Sequence, residues 1–96
     1  MNPRVCIMYR RTELMHFDLA SCHACAHEKE WDVVAEIGVV VDGGQNAAER
    51  KMLKLIRHRK IDILMISELE CLGTIRDMYR IAGMLIEKGI KLYRLR

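Results

Sequence analysis

Apolar residues gather into three short, nearly unbroken runs along the chain: Val5 to Tyr9, Val33 to Val41 and Ile61 to Ile66. Each has strand length, carries Val and Ile, and is followed by a polar or glycine-containing break. Unbroken hydrophobicity, as opposed to strict alternation, is the pattern of strands covered on both faces. A fourth run, Ile90 to Leu95, alternates Ile90, Leu92 and Leu95 with Lys91, Arg94 and Arg96, which predicts a half-exposed edge strand.

Helical patterns fill the intervals. Asp18 is the expected N-cap of a helix running to about Glu30, with Leu19, Cys22, Cys25, Ala26 and Lys29 on one face. The turn signal Asp42-Gly43-Gly44-Gln45-Asn46 precedes a second helix, Ala47 to about Arg59, with Asn46 as candidate cap and Met52, Leu53 and Ile56 as a narrow apolar stripe. The clearest helix is Thr74 to Lys88, where Ile75, Met78, Tyr79, Ala82, Leu85 and Ile86 form the expected main stripe and Gly89 the C-cap glycine. Ile81 and Met84 fall off that stripe, so a second face of this helix is expected to be covered, by self-association or by a further C-terminal element.

The order β-α-β-α-β-α-β predicts an α/β fold: a mainly parallel four-stranded sheet flanked by helices, with right-handed crossovers. Ninety-six residues form a single domain (1–96), without internal repeats. Apolar residues make up 51% and charged residues 30%, the balance of a globular protein. No apolar run approaches the roughly 18 residues of a membrane span, and the N-terminus lacks signal-peptide features, so a cytoplasmic setting is expected. The net charge of +3 is uneven: residues 1–46 hold four basic and seven acidic side chains, residues 47–96 twelve and six. A basic second half is compatible with an anionic partner without requiring one.

Candidate local chemistry is sparse. Cys22-His23-x-Cys25-x-His27 contains half of a zinc-site spacing, but four ligands within one helical stretch cannot all face one ion. Cys22 and Cys25 are read as small core residues, and no metal is assigned. Trp31 is the expected core anchor beneath the first helix. The Asp42–Asn46 loop lacks both glycine-rich phosphate-binding patterns, so no cofactor is assigned either.

Four segments, taken together, carry a resemblance. They are Arg4-Val5-Cys6-Ile7-Met8-Tyr9-Arg10-Arg11-Thr12, Cys25 to Val33, Glu49 to Ile56, and Lys60 to Ile66 leading into Glu68-Leu69-Glu70-Cys71-Leu72-Gly73-Thr74. In order and spacing they resemble the catalytic domain of serine recombinases (resolvases and invertases), including its Leu-Asp-Arg-Leu-Gly-Arg loop. The resemblance implies a resolvase-like fold and a link to site-specific DNA recombination. In that family a serine attacks a DNA phosphate and several arginines stabilise the charge that builds on the phosphate oxygens.

Position by position, the resemblance places Arg10 at the arginine before the nucleophile and Arg50 at the helix arginine. Glu70 stands at the usual aspartate and Thr12 at the nucleophile, while Cys71 and Thr74 stand where two arginines belong. Loss of those arginines removes donors worth about 3 kcal/mol each, and the β-branch of Thr12 crowds a phosphodiester. The resemblance also implies a long helix and a helix-turn-helix domain after the fourth strand, and the expectation is that this domain lacks both. The reading is therefore a degenerate domain, from a bacterial or mobile-element setting, that acts without strand cleavage as a homo-oligomer (a dimer) or on a protein partner, with weak DNA binding alone.

The alternative keeps Thr12 as nucleophile in a recombinase subunit whose DNA binding is supplied in trans. A phosphocarrier-like module is a third reading, disfavoured because Cys6 lies mid-strand. Cys71, close to Arg10, Arg50 and a helix N-terminus near Gly73, is a candidate reactive thiolate as well as a candidate inert core thiol.

Overall fold

The computed structural model describes residues 1–40 and 46–96. Their elements are β1 (Arg4–Arg10), α1 (Met15–Glu28), β2 (Asp32–Val39), α2 (Asn46–Arg57), β3 (Ile63–Ile66), a short 3-10 helix (Leu69–Leu72), α3 (Ile75–Lys88) and β4 (Lys91–Arg94). The turn expected at Asp42–Gln45 and the capping side chain of Asn46 lie outside the described residues.

All strand pairings are parallel and the sheet order is β2-β1-β3-β4. The central strand β1 shows why its sequence is apolar throughout. Successive side chains leave opposite faces of a strand, and here both faces are covered. Val5 and Ile7 join Cys22 and Ala26 of α1 with Ile63 and Met65 on one side. Cys6 and Met8 join Met52 and Ile56 of α2, Ile81 and Leu85 of α3, and Leu64 and Ile66 on the other. Trp31 does anchor the α1 side, where its ring meets Tyr93 edge-to-face at 5.4 Å between centroids. β4 lies at one edge of the sheet as expected, but it packs Tyr93 inward and leaves Leu92 exposed, the reverse of the expected alternation. β2 forms the other edge and is not covered on both faces as its apolar run predicted: Asp32, Val34 and Glu36 are exposed.

Two helix expectations are also corrected. Asp18 does not cap α1. The helix begins earlier, because the Thr12 hydroxyl accepts from the Leu14 N–H and the Met15 N–H bonds to the Thr12 carbonyl, which starts the turn ahead of Asp18. Asp18 is instead buried in the first turn, its carboxylate accepting from Arg96 Nη2 at 2.6 Å.

The stripe expected for α3 is also largely inverted. Ile81 and Leu85, 1% and 2% exposed, face the sheet with Met78 and Met84 packed beside them. Ile75, Tyr79 and Ile86, at 70%, 78% and 80% exposed, point outward. Two apolar arcs share this helix, and periodicity alone does not say which meets the sheet.

The ends of α3 follow local rules. Thr74 accepts from the Asp77 N–H while Asp77 accepts from the Thr74 N–H, a complete capping box. At the other end Gly89 takes the left-handed conformation (φ 68°) that glycine adopts without strain.

Candidate functional site

In open parallel sheets, ligands sit outside the carboxyl ends of the strands where the chain direction of winding switches. Here that place is the end of β1, between β2 and β3. Arg10 is the last residue of β1, Glu68 follows β3 by two residues, and Arg96 follows β4 by two. Together with Thr12, Leu14 and Asp18 they line an open cleft of about 440 Å³.

The side chains of Arg10, Glu68, Thr12, Asp18 and Arg96 in this cleft are each engaged within the protein. Arg10 Nη1 donates to Glu68 Oε1 at 2.6 Å, a partly buried ion pair that raises the guanidinium pKa further, with burial opposing and Glu70 and Cys71 assisting. Arg10 Nε is buried with no partner, the one such side-chain nitrogen or oxygen among the described residues. The exposed Thr12 hydroxyl accepts from Leu14 N–H at 3.1 Å. Arg96 is held by Asp18.

Of the sequence-predicted site residues, the cleft brings together Arg10 and Thr12. Glu70 is exposed on the 3-10 helix, near enough to Arg10 to add to its electrostatics. Arg50 lies exposed on α2. Cys71 is 4% exposed, with its Sγ 3.4 Å from Ser67 Oγ and 3.7 Å from the Met8 carbonyl that it donates to. Its surroundings are those of the inert core thiol. Thr74 spends its hydroxyl on the α3 cap. Glu68, Asp18 and Arg96 were missed by the sequence reading. The first begins the quoted segment Glu68 to Thr74 but was given no role there, and the other two are 78 residues apart, beyond any local signal.

The cysteine cluster on α1 is dispersed by the helix. Burial pushes the Cys22 thiol up to about 11, against the thiolate that zinc binding requires. Cys25 Sγ donates to Tyr93 Oη at 3.5 Å, and His23 turns away to Glu36. Among the described residues no group of three or more His, Cys, Asp or Glu is placed to hold a metal ion. No helix among them is long and apolar enough to cross a membrane.

No family model matches the chain, and no curated protein matches it by sequence. Solved structures do. The C-terminal catalytic domain of ISC1926 TnpA, an IS607-like serine recombinase, superposes with a TM-score of 0.82 at 19% identity, covering 97% of this chain and 67% of that one. A resolvase family site-specific recombinase from Streptococcus pneumoniae gives a TM-score of 0.85 at 13% identity, covering 98% of this chain and 72% of that one. The four-stranded parallel sheet and its helices thus have the fold of serine recombinase catalytic domains.

Proposed function

We propose that the chain is a resolvase-like domain connected with site-specific DNA recombination that does not cleave strands and acts by self-association or by binding another protein. The observation that carries this reading is the Arg10–Glu68 ion pair at the mouth of the cleft. Phosphoryl transfer is served by cations free to meet charge as it develops on phosphate oxygens, and here the arginine beside the nucleophile position already neutralises a carboxylate. The other matched positions support it. Thr12 shapes the turn into α1, Cys71 is sealed in the core and Thr74 caps α3.

The orphaned Arg10 Nε favours the second reading, in which Thr12 attacks a DNA phosphate and DNA binding comes from another subunit. For the guanidinium to meet a phosphate, Nη1 would exchange Glu68 for a phosphate oxygen.

Nicking of supercoiled plasmid tests the two readings. The expected result is no nicking above buffer by the purified chain, with or without divalent cation. Nicking that is abolished in Thr12→Ala would overturn the proposal.

A further inference from the structure

The outward face of α3 is apolar and exposed. Along it run Ile75, Tyr79, Ala82, Gly83 and Ile86, and the three large residues are more than two-thirds exposed. A Cβ added at Gly83 would meet nothing within 4 Å, so the helix backbone is open to close approach there. An apolar arc of this kind on a small domain marks a contact surface.

Charge placement says what the contact is. Arg76 and Glu87 sit on the same outward face, eleven residues apart, close to three full turns at 3.6 residues per turn and about 16 Å of rise. Both are exposed, and neither has an ion-pair partner among the described residues. The neighbouring Arg80, by contrast, is taken by Glu49 and Asp77. One helix therefore carries a cation at its first turn and an anion at its last, both unpaired among the described residues, with apolar residues between.

We propose that two copies of this chain associate through antiparallel α3 helices about a two-fold axis at the midpoint between Arg76 and Glu87. A two-fold interface is self-complementary, residue i meeting j while j meets i. In this register Arg76 of each copy opposes Glu87 of the other, so both pairs form at once. Ile86 of one copy falls between Ile75 and Tyr79 of the other. Tyr79 falls over the open backbone at Gly83, between Ala82 and Ile86. The opposite, parallel arrangement would set Arg76 against Arg76 and Glu87 against Glu87.

This assignment rests on the self-association part of the proposed function, and the test separates the two. Sedimentation equilibrium of the full chain from about 1 μM to about 1 mM is expected to show a reversible monomer–dimer equilibrium. Arg76→Glu and Glu87→Arg are each expected to raise the dimer Kd about tenfold or more. The double exchange R76E/E87R restores it to within about threefold, as a direct pair in a double-mutant cycle does. Both positions are exposed, and unchanged circular dichroism checks that the variants fold. A dimer indifferent to both reversals overturns this interface and leaves self-association standing. A monomer across the whole range overturns both.

Discussion

Asp62 joins the starts of two neighbouring strands, β1 and β3. Its carboxylate accepts from the Arg4 N–H at 2.8 Å and from Arg4 Nε and Nη2 at 3.1 Å each. The side-chain and backbone bonds from Arg4 hold its pKa down at about 2. A carboxylate depressed in the folded state contributes stability that is present above its ordinary value near 4 and is lost as pH falls through the folded value. Urea unfolding of wild type and Asp62→Asn is therefore expected to differ most at neutral pH and to converge as pH drops from about 4 towards 2. Curves offset equally at all pH values would contradict the assignment.

Asp18 makes a different residue-scale case, because it is buried while its partner Arg96 is about half exposed. Arg96→Ala leaves a buried acceptor without its donor and is expected to cost about 1–3 kcal/mol in denaturant unfolding. No change would mean that the pair contributes nothing in solution. Neither role was legible in the sequence. Asp18 ahead of an apolar periodicity reads as a helix cap, and its partner lies at the far end of the chain. Arg10 and Thr12, named from one contiguous segment, do share a cleft, whereas Cys71 lies in the core. What engages them, Glu68 for Arg10 and the core for Cys71, follows from the way β3 is brought beside β1.

At the scale of elements, the strands were readable because a both-faces-buried strand leaves an unbroken apolar run, as Val5 to Tyr9 and Ile63 to Ile66 do. The edges were read less well: the alternation of β4 named Leu92 as inward where Tyr93 packs, and the apolar run of β2 hid its position at the other edge. The orientation of α3 was not, since Ile75, Tyr79 and Ile86 compete with Met78, Ile81 and Leu85 for the role of inner face. Only docking onto the sheet resolves that competition. Mutation can check it: Ile81→Ala is expected to cost about 2–5 kcal/mol through lost burial and the cavity left behind. Ile86→Ala, measured at concentrations where the chain is monomeric, is expected to stay within about 0.5 kcal/mol. Equal costs would put the helix the wrong way round. The same outward arc that misled the periodicity argument is the surface assigned above to a second copy.

For the whole molecule, the uneven charge distribution gives a basic second half on a fold shared with serine recombinase catalytic domains. Non-specific attraction to phosphates is the expected consequence. Fluorescence anisotropy with a mixed-sequence duplex is expected to give a Kd in the range of about 10⁻⁶ to 10⁻⁴ M at physiological salt, weakening steeply as salt rises. Binding that is tight and indifferent to salt would point to a built DNA site that the cleft does not display.

The central claim, proposed above, is that the residues matching the recombinases' phosphate-handling groups serve structure in this chain. Intact mass under denaturing conditions, after incubation of the chain with a random library of gapped duplexes, tests it most directly. A covalent phosphothreonine link survives denaturation and non-covalent binding does not. The account predicts the mass of the free chain alone. A species heavier by an attached strand, present in wild type and absent in Thr12→Ala, would contradict it.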